Sequence, residues 1–127
     1  MTDKTHTPVD VAPVLLVKDV VASVAWYRQI GFKADEIHGE PPFFAMAEYN
    51  QSTIMLQQTA SPATPNDRQD SGAWSVYIWI KDAETTRKHL QAAGIEIMRG
   101  PIETGYGCTE MDVIDPDGHR LCFGACQ

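Results

Sequence analysis

Apolar residues recur every three or four positions in two segments of the chain, which is the spacing of a helix with one buried face. They are Val20, Val24 and Tyr27 in the first segment and Ala83, Thr86, Leu90 and Ala93 in the second. Asp19 and Asp82 directly precede these segments, and an aspartate side chain accepts the free backbone N–H groups at a helix start. Gly31 and Gly94 follow the segments. We therefore predict that each helix begins after an aspartate and ends at a glycine.

The two halves of the chain carry the same pattern, because residues 13–19 align with residues 76–82. Each half predicts a strand, the helix and three further strands. The later strands are predicted at residues 32–37, 43–49 and 53–57 in the first half and at 95–102, 109–114 and 120–123 in the second. Residues 115–118, Asp-Pro-Asp-Gly, have the composition of a tight turn between the last two strands. We expect an α+β protein that contains the βαβββ unit twice.

The chain of 127 residues is long enough for one domain with a single core. Residues 59–72 are rich in proline and polar residues, which predicts a surface linker. The expected organisation is a flexible N-terminal arm at 1–10, a first βαβββ module at 11–58, the linker at 59–72 and a second module at 73–127.

Acidic residues outnumber basic ones by 17 to 10, which gives a formal net charge of -7 at pH 7. No basic stripe is present, so we expect neither nucleic acid nor a membrane surface as a partner. No apolar run approaches the roughly 18 residues that span a bilayer. With three cysteines and no apolar segment at its start, the sequence favours the cytoplasm and free thiols, with Cys108 and Cys122 as small buried residues.

Two motifs give the chain a family resemblance that covers roughly residues 11–125. The first is a strand followed by Asp19, a helix with Tyr27, and Gly31-Phe32; the second is the Asp-Pro-Asp-Gly turn at 115–118. With the repeated βαβββ unit, they resemble the vicinal oxygen chelate superfamily of glyoxalases, bleomycin resistance proteins and dioxygenases. The resemblance implies a curved, mixed-sheet half-barrel around a cavity, and a homodimer. The fold hosts both enzymes and binding proteins, so it does not decide the function.

In metal-dependent members of this superfamily, His or Glu occupies four strand positions. The resemblance places Ala12 (Pro13 if the register shifts), Gln57, Ser75 and Cys122 at these positions. Such side chains bind a divalent metal poorly. We therefore expect no metal and no cofactor, and the greatest similarity to the metal-free bleomycin-resistance-like branch.

The four histidines are interpreted as solvated surface residues rather than ligands. They are His6, His38, His89 and His119. A zinc site that combines His119 with the three cysteines is disfavoured, because these residues follow a regular hairpin instead of the tight turns typical of zinc ligands.

Residues two apart on a strand share a face, which separates expected cavity residues from expected core residues. The residues assigned to the cavity and to ligand binding are Phe44, Met55, Gln57, Ser75, Tyr77, Trp79, Glu110, Asp112 and Cys122. The pattern leaves open whether Phe43 or Phe44 points into the cavity. It also leaves open whether Tyr77 and Trp79 are core or dimer-interface residues. Likewise, Glu110 and Asp112 are either cavity residues or a solvated acidic face.

Aromatic rings beside a carboxylate pair suit a flat, partly cationic ligand, because rings stack and carboxylates set orientation. The leading hypothesis is a metal-independent small-molecule binding protein that sequesters an aromatic or cationic antibiotic and so confers resistance. The alternative is a metal-dependent lyase, isomerase or dioxygenase, with Glu110 or Asp112 as ligand or base. A metal-free enzyme or accessory protein with the same cavity is a third hypothesis.

Overall fold

The computed structural model describes residues 6–60 and 73–127; within the predicted linker, residues 61–72 lie outside the described part. The first module contains β1 (Val14–Val17), α1 (Val20–Gln29), β2 (Lys33–His38), β3 (Phe44–Tyr49) and β4 (Ser52–Gln58). The second contains β5 (Val76–Trp79), α2 (Ala83–Ala92), β6 (Arg99–Glu103), β7 (Cys108–Ile114) and β8 (Arg120–Cys126). The predicted α+β class and the duplicated βαβββ unit are confirmed.

Each module folds into a four-stranded mixed sheet with the same topology. The strand orders are β1-β4-β3-β2 and β5-β8-β7-β6, so the first strand of each module lies at a sheet edge beside the last strand. In each sheet the first and last strands of the module pair in parallel, and all other neighbouring strands pair antiparallel. Among the described residues, no strand of one sheet is hydrogen-bonded to a strand of the other.

Both helices begin and end where the sequence predicts. The Asp19 carboxylate accepts hydrogen bonds from two backbone N–H groups in the first turn of α1, and the Asp82 carboxylate accepts one in α2. These N–H groups have no partner within the helix. Gly31 (φ 111°) and Gly94 (φ 76°) then turn the chain with positive φ values that favour glycine. In the part of the chain that the structure describes, neither helix is long and apolar enough to cross a membrane.

Both helices and one face of each sheet contribute to a shared hydrophobic core. Its fully buried residues include Val20, Tyr27, Leu56, Leu90, Met111, Val113 and Leu121. The helical residues among them lie on the apolar faces that the sequence spacing predicts. Because the core covers one face of each sheet, the other face of each sheet is directed away from the core.

The Asp-Pro-Asp-Gly turn of the second module packs against the first module. The Tyr27 hydroxyl donates to Asp115 Oδ2 at 2.8 Å. His119, directly after the turn, places Nε2 at 2.8 Å from the carbonyl oxygen of Leu16. His119 is only 5% exposed, so the prediction of a solvated residue is wrong. The contact between modules removes the imidazole from water, and no local sequence pattern reports such a contact.

Two local features differ from the predictions. β6 begins at Arg99 rather than at residue 95, because the Ile95 N–H donates to the Leu90 carbonyl at the end of α2 instead of to a neighbouring strand. A bulge between Arg99 and Ile102 further interrupts the pairing of β6 with β7. Cys108 is not a free thiol, because it forms a disulfide with Cys126, its opposite partner in the β7–β8 register.

Candidate functional site

The outward face of the second sheet carries six of the predicted site residues. Strand register places Tyr77, Cys122 and Asp112 in one row across the sheet, and Trp79, Gly124 and Glu110 in the next. Ser75 directly precedes β5 and adjoins the first row. Residues directly opposite one another share a face, whereas Val76 and Ile78 pack against the core. We call this outward surface the second-sheet face.

Glu110 and Asp112 are both 0% exposed, so the alternative of a solvated acidic face is wrong. Arg99 donates to both carboxylates, with Nη2 at 3.0 Å from Glu110 Oε1 and Nη1 at 2.9 Å from Asp112 Oδ1. Arg120 Nε donates to Asp112 Oδ2 at 2.7 Å. Two guanidinium groups thus balance two buried carboxylates, which burial would otherwise penalise. We call these four residues the ionic cluster.

Two tyrosines complete the hydrogen bonds of Glu110. Tyr77 and Tyr106 donate their hydroxyls to Glu110 Oε2 at 2.9 Å and 2.6 Å. Burial raises the pKa of Glu110, but hydrogen bonds from both tyrosines and Arg99 outweigh it, so the pKa lies below its ordinary value. Burial and the bond to Glu110 raise the pKa of Tyr77. Near neutral pH, Glu110 is therefore ionised and Tyr77 is protonated, and the two groups are joined by a charge-assisted hydrogen bond.

A run of aromatic rings borders the ionic cluster along β5. The ring centroids of Trp74 and Tyr77 are 5.2 Å apart, and those of Tyr77 and Trp79 are 5.1 Å apart. The Trp74 indole N–H also donates to Asp112 at 3.2 Å. Trp79 is 71% exposed and Tyr106 is 64% exposed, so the alternative of Trp79 as a core residue is wrong. Neighbouring exposed rings suit the stacking of a flat ligand.

Three predicted residues, Phe44, Met55 and Gln57, lie on the outward face of the first sheet. The register pairs Phe44 with Gln57 and Met46 with Met55. Because Ala45 is buried in the core, Phe44 rather than Phe43 lies on the face directed away from the core. We call this surface the first-sheet face. Among the described residues, no strand of the first sheet pairs with a strand of the second. The nine predicted site residues therefore lie on two separate sheets within one chain.

A cavity of about 590 Å³ opens between the two modules. Its lining consists of Asp10, Val11, Pro13, Phe32, residues 49–54 and residues 75–79. Of the predicted site residues, Ser75, Tyr77 and Trp79 line it. Among the described residues, the buried Oγ atom of Ser75 has no hydrogen-bond partner. Tyr77 and Trp79 therefore belong both to the lining of this cavity and to the second-sheet face.

Sequence reasoning missed Arg99, Trp74 and Tyr106 as members of the site. The bulge in β6 breaks the alternation that would assign a face to Arg99, and Tyr106 lies between two glycines outside any strand. A buried carboxylate pair requires cations nearby, and this requirement points to Arg99. The requirement for nearby cations applies only to buried carboxylates. The alternation within β7 shows that Glu110 and Asp112 share a face, but not whether that face is buried.

The positions that the family resemblance assigns to metal ligands do not fit a metal here. The Ala12 side chain has no donor atom, and Gln57 and Ser75 offer only a neutral amide and a hydroxyl. Burial and the neighbouring Asp112 raise the pKa of the Cys122 thiol, which disfavours the thiolate that a metal binds. Within residues 6–60 and 73–127, no three His, Cys, Asp or Glu side chains form a group that would hold a metal ion. We therefore assign no chemistry to a metal at these positions.

The sequence profile of the Glyoxalase/Bleomycin resistance protein/Dioxygenase superfamily matches residues 10–123, which is most of the chain. The chain belongs to this superfamily. The resemblance carried by the Asp19–Phe32 segment and the 115–118 turn is thereby confirmed. No curated protein sequence matches the chain.

Solved structures of the superfamily fold include bleomycin-binding proteins. TioX from Micromonospora sp. ML1 is similar with a TM-score of 0.74 at 20% identity, over 94% of this chain and 100% of TioX. A bleomycin-binding protein in complex with bleomycin has a TM-score of 0.72 at 17% identity, over 93% of this chain and 98% of its own. The bleomycin resistance determinant encoded on transposon Tn5 gives 0.70 at 18%, with the same coverage. At these identities the similarity establishes the fold and not the ligand.

Proposed function

We propose that this superfamily member is a metal-independent binding protein that sequesters a flat, aromatic and cationic small molecule such as an antibiotic. The observation that carries the proposal is the exposed aromatic surface of Trp79 and Tyr106 beside the ionic cluster. Exposed aromatic surface next to polar groups is typical of ligand-binding sites. A protein of the same fold is bound to bleomycin in its crystal structure, which supports a small-molecule ligand.

The ionic cluster would act by fixing the aromatic rings before the ligand arrives. Tyr77 is held through its hydroxyl by Glu110, and its ring lies between those of Trp74 and Trp79. A ring that is already ordered loses little freedom on binding. Because Arg99 and Arg120 balance the two carboxylates, a cationic ligand would be attracted by the net charge of -7 rather than by a bare carboxylate.

We further propose that the protein works as a cytoplasmic homodimer. The first-sheet face presents half-buried apolar side chains such as Phe44 and Met55, and Val14 is exposed beside them. If this face of one copy covered the second-sheet face of another, both apolar surfaces would leave water. Phe44, Met55 and Gln57 of one copy would then face Tyr77 and Trp79 of the other across the ligand.

Trp79→Ala tests the binding site. Bleomycin, mitomycin and a panel of aromatic cations are each added to the protein, and the melting temperature is measured. A ligand that binds only the folded state raises this temperature, so we expect an increase for wild type. Without ligand, Trp79→Ala should change the free energy of unfolding by less than about 0.5 kcal/mol because the ring is exposed. With ligand, its increase should be lost.

Phe43→Ala is the matched control, because Phe43 is also an exposed aromatic residue but precedes β3 in the other module. It should keep the full ligand-dependent increase. An unchanged melting temperature with every compound at saturating dose, or equal increases in Trp79→Ala and wild type, would contradict the proposal. A stoichiometric metal ion in protein purified without chelators would overturn metal independence, and a monomer in light scattering would overturn the homodimer.

A further inference from the structure

Cys108 and Cys126 form a disulfide at the open end of the β7–β8 hairpin. They are opposite partners in the strand register, and the bond closes a sequence separation of 18 residues. Cys108 is buried, whereas Cys126 is exposed. The third cysteine, Cys122, is a buried thiol. One end of the disulfide therefore lies at the surface while the remaining thiol does not.

On one side, the disulfide anchors the loop of residues 105–107. The Thr104 backbone N–H donates to the Cys108 carbonyl at 2.8 Å, and the Cys108 N–H donates to Thr104 Oγ1 at 3.1 Å. The Gln127 N–H, next to Cys126, donates to the Gly107 carbonyl at 3.0 Å. The disulfide thus joins β8 to Cys108 at one end of the loop, and hydrogen bonds link Cys108 to Thr104 at the other end.

On the other side, the disulfide touches the residues that order the second-sheet face. The Tyr77 hydroxyl oxygen lies 3.4 Å from Cys126 Sγ and donates to Glu110. Tyr106, carried by the anchored loop, donates to the same Glu110 oxygen. A change at the disulfide therefore reaches both tyrosines that bind Glu110.

We propose that Cys108–Cys126 is a redox-active disulfide, and that its reduction by a dithiol frees the 105–107 loop and releases Tyr106 from Glu110. Disulfides with an exposed end are the ones most open to attack by a thiolate, and a disulfide in the proposed cytoplasmic location would be transient rather than permanent. This inference concerns the protein itself and does not depend on the ligand.

The reaction is a thiol–disulfide exchange. One thiolate of the dithiol attacks the Cys126 sulfur, a mixed disulfide forms and Cys108 leaves as a thiolate. The second thiol of the reductant then attacks its own sulfur in the mixed disulfide and displaces Cys126. The reductant becomes a disulfide, and the protein gains two electrons and two protons.

Alkylation and hydrogen exchange of the full chain test the proposal. Native protein is treated with oxidised glutathione or with dithiothreitol, and is then alkylated and analysed by mass spectrometry. After dithiothreitol, Cys126 should be alkylated, and so should Cys108, because it adjoins the freed loop. Cys122, fully buried within β8, should stay protected. Amides of residues 104–107 should exchange about tenfold faster in the reduced protein, whereas amides of α1 should not change.

Two variants separate the disulfide from a general loss of structure. Cys108→Ser with Cys126→Ser should show the fast exchange of the reduced protein in either reagent, and Cys122→Ser should respond as wild type does. Thiols that persist at Cys108 and Cys126 in oxidised glutathione would overturn the proposal. The proposal would also be overturned if dithiothreitol reduced the disulfide only after denaturation. Equal hydrogen-exchange rates of residues 104–107 in the oxidised and reduced protein would overturn it as well.

Discussion

Because Gly124 has no side chain, the Tyr77 ring can occupy the space directly beside its backbone. Gly124 lies in β8 between Glu110 on one side and Trp79 on the other. A Cβ at this position would overlap the Tyr77 hydroxyl and lie 2.9 Å from Cε1 of the same ring, which is closer than carbon atoms pack. Gly124→Ala must therefore displace the ring and break its hydrogen bond to Glu110.

Two terms set the size of this effect. Loss of a hydrogen bond to a buried charged group costs about 1.5–3 kcal/mol, and a methyl group forced into a packed site costs about 1–3 kcal/mol. Glu110 keeps Tyr106 and Arg99 as donors, so part of the first term is retained. We expect Gly124→Ala to lower the free energy of unfolding by about 2–4 kcal/mol.

Urea denaturation followed by tryptophan fluorescence measures the loss. Gly105→Ala is the matched control, because nothing lies within 4 Å of a Cβ added there; its effect should be below about 0.5 kcal/mol. In a Tyr77→Ala background, Gly124→Ala should cost little, since the ring that the methyl group meets is absent. Equal stabilities of Gly124→Ala and Gly105→Ala would refute the reasoning.

Two further predictions concern buried hydrogen bonds. Tyr27→Phe removes the hydrogen-bond donor to Asp115 and should lower the free energy of unfolding, measured by urea denaturation, by about 1–3 kcal/mol. The exposed control Tyr49→Phe should change it by less than about 0.5 kcal/mol. Equal losses in the two variants would contradict a stabilising role of this hydrogen bond. Because the folded pKa of Glu110 lies below its ordinary 4.5, its ionised form stabilises the fold above that pH, and this contribution is lost as the pH falls through the folded pKa. The stability difference between wild type and Glu110→Gln should therefore shrink in acid; a difference that stays constant from about pH 7 to about pH 3 would contradict the pKa shift.

The elements and their faces follow from rules that act over a few residues. The caps at Asp19 and Asp82 depend only on the first helical turn, so the sequence predicts both helices. Alternation likewise predicts that Tyr77 and Trp79 share a face opposite to Val76, because a strand with one buried face repeats every two residues. These are the parts of the fold in which local preference and tertiary packing agree.

The ionic cluster depends on interactions that no local pattern contains. Arg99 reaches Glu110 and Asp112 from a strand whose bulge disrupts the alternation. His119 meets Leu16 across a separation of 103 residues, so its burial becomes visible only when the modules are assembled. Which cysteines pair is decided by the β7–β8 register rather than by their number.

The contact between Tyr27 and Asp115 shows that the two repeats are no longer equivalent. The alignment of residues 13–19 with residues 76–82 places Leu90 where the first repeat has Tyr27, and a leucine has no hydroxyl to donate. A chain built from two copies of the second repeat would therefore bury the Asp115 carboxylate without its phenolic donor. The two units are therefore not interchangeable, because the first supplies the phenolic donor that the turn of the second requires.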